Sequence, residues 1–205
     1  MSEQHPLRAY FALPPRLLFQ LHTTAAAFIL LIFCGFTLSS IRPESVLPLM
    51  RLFTQAAAEA GLYEVEGSVL MVTILSNNLL SLLTAAALGL IPFLYLPALE
   101  LGVNALMIGG LAAFYQKEGP GLAAFFAGTV PHAVFELPAL VISCSCGLYL
   151  CRAVTNTILG KGNARAVATV LSQCLRVYVH YVFPLLTISA FLEAFVTPLL
   201  LSRFL

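Results

Sequence analysis

Residues 68–116 read SVLMVTILSNNLLSLLTAAALGLIPFLYLPALELGVNALMIGGLAAFYQ, 49 positions in which Glu100 is the only charged residue. About 20 helical residues cross the hydrocarbon core of a bilayer, so this run is too long for one span and about right for two. Pro92 and Pro97 bracket the turn between them, because proline has no amide hydrogen to give a continuing helix. The reading predicts transmembrane helices over about 68–91 and 98–116.

The same length argument extends outward along the chain. An apolar run over about 17–40 follows Arg8 and Arg16 and stops at Arg42-Pro43-Glu44. Pro14 and Pro15 precede it and no small-x-small cleavage site leads into a polar mature segment, so it reads as a retained span rather than a cleaved signal. After Gln116-Lys117-Glu118-Gly119-Pro120, a fourth stretch covers about 122–151 and ends at Arg152, and a fifth covers about 177–201. In the outer connector, 41–67, Val46, Leu49, Met50, Phe53, Ala57 and Ala60 recur at the spacing of an amphipathic helix lying on the membrane surface. In the inner connector, 152–176, Gly160-Lys161-Gly162-Asn163 forms a hinge before a basic amphipathic segment from Ala164 to Arg176. The expected fold is all-α: one domain over 1–205, a polytopic bundle of about five transmembrane helices with amphipathic interfacial helices.

Composition agrees with that class. The chain is 60% apolar and 9% charged, with neither Asp nor Trp, and its mean hydropathy is +0.95. A soluble domain cannot cover itself with so little charge. The net charge of +1, without a Lys/Arg run or zinc-finger spacing, excludes nucleic acid as a partner and leaves the lipid bilayer as the first one expected. Cys34, Cys144, Cys146, Cys151 and Cys174 fall in or beside apolar segments and read as small buried hydrophobes. Arg8, Arg16, Arg152, Lys161, Arg165 and Arg176 collect on one side of the predicted bundle, against Arg42, Arg51, Lys117 and Arg203 on the other. The positive-inside tendency then predicts a cell-membrane protein with a cytoplasmic N-terminus and an extracytoplasmic C-terminus.

Ionisable groups inside such spans are expensive, and that makes them candidates for function. Residues 131–139, PHAVFELPA, set His132 and Glu136 one helical turn apart, on one face. At about 1.5 Å per residue, Asn77, Asn78 and His132 each lie roughly 15 Å below the outer ends of their spans, and Glu193 about 12 Å below its own. Glu136 is one turn deeper, so Asn77, Asn78, His132, Glu136 and Glu193 form a candidate polar cluster in one slab of the membrane. His132, Glu136 and Glu193 offer the donor types that hold a divalent metal such as zinc. The same groups serve equally as a proton or solute site, or as interhelical glue. Pro131 is expected either to kink the fourth helix or to break it beside His132, a break that exposes backbone amides at mid-membrane depth.

Three runs, ILSNNLLSLLTAAALG (74–89), PHAVFELPALVISCSCGLYL (131–150) and FLEAFVTPLL (191–200), together resemble the stage II sporulation protein M family of five-span integral membrane proteins. The resemblance covers spans two to five. Its more specific parts are the His-x-x-x-Glu-Leu-Pro-Ala pattern from His132 to Ala139 and the Glu-Ala-aromatic-x-Thr-Pro pattern from Glu193 to Pro198. The founding member is a non-enzymatic scaffold that assembles with peptidoglycan-degrading partners in sporulation. It lacks the His/Glu pair, so this chain resembles more closely the wider family that keeps it. The resemblance thus implies a membrane scaffold for cell-envelope or peptidoglycan-remodelling proteins, without a catalytic residue or an obligatory cofactor. An intramembrane metalloprotease of the prenyl-endopeptidase type needs a Glu-Glu motif and further histidines within the spans, and this chain has no Glu-Glu pair. The alternative is an ion, metal or small-solute transporter or binding protein built on the cluster. A homodimer is expected through the small-residue face Gly102, Ala105, Gly109 and Ala112.

Overall fold

The computed structural model describes residues 13–45, 47–48, 51, 55, 59, 65–117 and 119–204. Five helices in it are long and apolar enough to cross a membrane. Helix α1 covers Pro15–Ile41 and opens on a proline in its first turn, where the missing amide hydrogen has no helical partner to lose. Helix α2 covers Gly67–Ala87 and tightens into a 3₁₀ turn over Leu88–Leu90. Helix α3 covers Leu96–Lys117, and α4 covers Leu122–Ile158. Helix α5 runs from Ala164 to Leu201, with π turns at Tyr178–Val182 and Leu192–Val196. No strand occurs among the described residues, and the chain is a polytopic, all-α membrane protein.

The helices outrun the expected spans in one region. Helices α4 and α5, of 37 and 38 residues, are each roughly 55 Å long, against a hydrocarbon core of about 30 Å. The surplus falls where Arg152, Lys161, Arg165 and Arg176 need water. The segment expected as the inner connector is therefore almost wholly helical, with only 159–163 left as a turn. The Asn163 side chain ends that turn by accepting a hydrogen bond from the Ala166 amide at 2.9 Å, which caps α5. At the other boundary, Pro43–Ser45 forms a 3₁₀ turn directly after α1. The stripe Val46, Leu49, Met50, Phe53, Ala57 and Ala60 lies outside the described residues.

The break expected at Pro131 is not found: α4 is continuous through both Pro131 and Pro138. Each proline removes one backbone hydrogen bond, but packing on several sides holds the helix together. Over the most apolar 18-residue window of each helix, 56% of α4 is buried, against 17–33% for the others. It touches α1, α2, α3 and α5 and is the centre of the bundle.

The other extensive contact pairs α1 with α3. A Cβ atom added to Gly109 would lie 2.1 Å from the Ile32 carbonyl oxygen, so only glycine allows this approach. The small-residue face proposed for dimerisation is thus largely used within one chain: Ala105 and Gly109 are buried, and Gly102 faces Leu31 of α1. Gly109→Ala is expected to lower stability by about 1–3 kcal/mol, because backbone rather than a movable side chain stands in the way. Thermal unfolding in detergent measures it, and an unchanged midpoint would contradict the tight crossing.

Candidate functional site

Three of the predicted site residues come together. One ligand atom from each of His132, Glu136 and Glu193 lies within 4.8 Å of the other two. His132 and Glu136 project from the same face of α4, as their four-residue spacing requires. Glu193 comes from the second π turn of α5, where the extra residue per turn re-aims the side chains.

Two hydroxyls frame the group. The Thr197 hydroxyl lies 3.3 Å from His132 Nδ1. Ser189 Oγ, fully buried, is 3.2 Å from the His132 carbonyl oxygen and 3.5 Å from Glu136 Oε2, so its single proton chooses between two acceptors. Ser189, Glu193 and Thr197 are spaced four apart on α5 and face His132 and Glu136 on α4. The result is a short ladder of polar side chains between two otherwise apolar helices.

The chemistry of such a ladder is constrained by charge. Two carboxylates this close, with little water, need a positive charge between them: a metal ion, another cation or a proton. One imidazole nitrogen and two carboxylate oxygens suit a divalent ion of zinc type, which binds such atoms at about 2.0–2.2 Å. Small side-chain rotations would close the three ligand atoms onto one centre. Two glutamates would balance the 2+ charge of the ion and make the site neutral, the state a membrane interior favours.

The asparagines do not join them. Asn77 is exposed on the outer face of α2, and Asn78 is half-buried without a hydrogen bond to the cluster. Helix α2 meets α5 through Ile74 against Ala190 and Ala194, which lie to one side of the Ser189, Glu193 and Thr197 face. Depth alone put the asparagines in the cluster; helix rotation takes them out. Asn77→Leu is therefore expected to change unfolding stability by no more than about 0.5 kcal/mol, because no partner is lost. A loss above about 2 kcal/mol would show that the amide is bonded after all.

Comparison with known sequences adds one result. The sequence model of the family described as Stage II sporulation protein M, SpoIIM, matches residues 24–198. This chain belongs to the SpoIIM family. Comparisons with curated proteins and with solved structures gave no match. The SpoIIM match begins within α1, so it covers more than the four spans on which the sequence resemblance rested, and it takes in His132, Glu136, Glu193 and Thr197. Among the described residues of this SpoIIM member, the five helices long and apolar enough to cross a membrane fall at least largely within it.

Sequence reasoning missed Ser189 and Thr197, although their four-residue spacing on either side of Glu193 was a usable signal. It also missed a second buried network in this SpoIIM bundle. Tyr178 OH donates to the Leu82 carbonyl at 2.5 Å, and Ser143 Oγ donates to the same oxygen at 2.7 Å. The two hydroxyls also touch each other. This joint ties α2, α4 and α5 around a backbone carbonyl, and no motif in the sequence announces it. The cysteines are free: Cys144, Cys146, Cys151 and Cys174 are buried and Cys34 is exposed.

Proposed function

We propose that this protein is a non-enzymatic membrane scaffold on which cell-envelope or peptidoglycan-remodelling proteins assemble. In this reading His132, Glu136 and Glu193 form an internal clasp for a divalent cation such as zinc. The observation that carries the clasp is the convergence of the three ligand atoms within 4.8 Å from two helices. Membership of the SpoIIM family supports the scaffold. A clasp deep between α4 and α5 would fix the relative placement of the two longest helices, and with it the surface offered to partners. The protein would sit in the cell membrane with its N-terminus in the cytoplasm and its C-terminus outside.

Elemental analysis of the detergent-purified protein tests the clasp: about one equivalent of divalent metal is expected, absent from His132→Ala. A metal-free wild type purified without chelator would remove the cation and leave a polar seam. Chemical cross-linking in intact cells tests the scaffold. It is expected to capture envelope proteins, and recovery of the chain alone would count against that role.

The π turn at Leu192–Val196 favours a second reading, because such turns occur often at functional sites. If the turn shifts along α5, Glu193 leaves the ligand group, as release of a transported ion or solute would require. Metal uptake into vesicles containing the purified protein separates this from a static clasp.

A further inference from the structure

The end of the bundle remote from His132 contains a cavity of about 760 Å³. It lies where α1 begins and where the 159–163 turn joins α4 to α5. Arg16 of α1, Arg152 of α4 and Lys161 of the turn line it, and among the described residues no carboxylate does. None of these three cations has an ion pair or a side-chain hydrogen bond among the described residues. Three converging positive charges around a cavity repel one another, and an anion stabilises them.

A second, independent observation narrows the anion. Gln173 also lines the cavity, and its Oε1 is a buried acceptor with no partner among the described residues. A buried acceptor without a donor is costly, and a bare phosphate dianion has no proton to give it. An alcohol on the same ligand has one. The volume exceeds what phosphate alone fills, and Asn156 and Tyr149 add further polar lining.

We propose that this cavity binds a phosphate ester that also carries a free hydroxyl, with Arg16, Arg152 and Lys161 on the phosphate and Gln173 accepting from the hydroxyl. The ligand can come from the membrane, as the glycerol phosphate headgroup of an anionic lipid, or from solution. The membrane is the nearer source. Phe19, on the wall, is 67% exposed, and Leu18 beside it is also exposed, so the cavity opens beside lipid-facing side chains. Basic pockets between helices at this level recognise phospholipid headgroups by the same chemistry. The site is about 20 residues, or roughly 30 Å, along α4 from His132 and does not depend on the clasp.

The test uses the full chain in detergent, with native mass spectrometry as the readout. Phosphatidylglycerol is expected to bind at least about tenfold more tightly than phosphatidylcholine. The triple variant Arg16→Gln/Arg152→Gln/Lys161→Gln is expected to lose that preference. Gln173→Leu is expected to keep the affinity for phosphatidylmethanol, which has no headgroup hydroxyl, while its preference for phosphatidylglycerol falls about fivefold, the value of one neutral hydrogen bond. Soluble glycerol phosphate at millimolar concentration decides the source. Failure to compete supports the lipid; saturable binding of glycerol phosphate without a preference for phosphatidylglycerol supports a soluble ester. If neither probe binds above phosphatidylcholine, or the triple variant binds as wild type does, the proposal is overturned. Helical circular dichroism and an unchanged thermal unfolding midpoint establish that each variant is folded.

Discussion

With divalent metal in large excess, His132→Ala is expected to unfold about 4 kcal/mol more easily than wild type, and most of that deficit is expected to vanish in chelator. The dependence of the effect on chelator separates the two roles open to the ladder. A ligand that binds only the folded protein stabilises it by about 4 kcal/mol at a thousandfold excess over its dissociation constant. Hydrogen bonds between membrane helices contribute far less, on the order of 0.6 kcal/mol each and at most about 2. If His132 served only as glue, its contact with Thr197 would set the loss, and chelator would not change it. Denaturant titration in mixed micelles, with and without chelator, gives both numbers. A loss below about 1 kcal/mol in saturating metal would sink the clasp.

A companion variant separates metal binding from folding. Replacing only one member of a buried polar group leaves its partners without compensation, whereas replacing all of them with apolar side chains of similar size is often neutral or stabilising. His132→Leu/Glu136→Met/Glu193→Met is therefore expected to fold, to bind no metal, and to give the same unfolding curve with and without chelator. Ser189→Ala, which leaves all three ligands in place, is expected to cost about 1 kcal/mol in either condition.

How much of this could be read from the sequence depends on which physical rule is in play. Span number follows from hydrophobic length, and residues 68–116 carry it because one charge in 49 positions leaves few alternatives. The His132–Glu136 pair follows from helical periodicity alone. Depth also set Glu193 at the level of the pair, where its carboxylate lies beside them, because depth depends only on rise per residue. Asn77 and Asn78 lie at the same depth yet do not join the group, since depth says nothing about rotation around the helix axis. Neither the π turn that re-aims Glu193 nor the survival of α4 through Pro131 was legible. Both depend on packing from neighbouring helices. The small face of α3 was visible in the sequence; that its partner is α1 of the same chain, rather than a second copy, was not.

The second large effect lies at the 3₁₀ turn after α2. Gly89→Ala is expected to destabilise the protein by about 3 kcal/mol, the upper end of what overpacking usually costs. The added Cβ would lie 2.1 Å from the Gly147 carbonyl oxygen and 2.8 Å from its Cα, so backbone must move. Movement there spreads, because α4 holds the same turn at two further points, each one helical turn along. Cys151 Sγ donates to the Ile91 carbonyl at 3.3 Å, and the Phe93 amide donates to Thr155 Oγ1 at 3.1 Å. Gly147, Cys151 and Thr155 thus form a staircase that grips residues 89–93, where Phe93 adopts a left-handed backbone angle of 67°. Pushing the first step apart loosens the other two. Gly102→Ala is the matched control: the nearest atom to its new Cβ is 3.9 Å away, and alanine in place of glycine favours a helix by about 1 kcal/mol. Thermal unfolding of both variants should move in opposite directions. Equal midpoints for the pair would mean that the staircase does not hold the α2–α3 turn against α4.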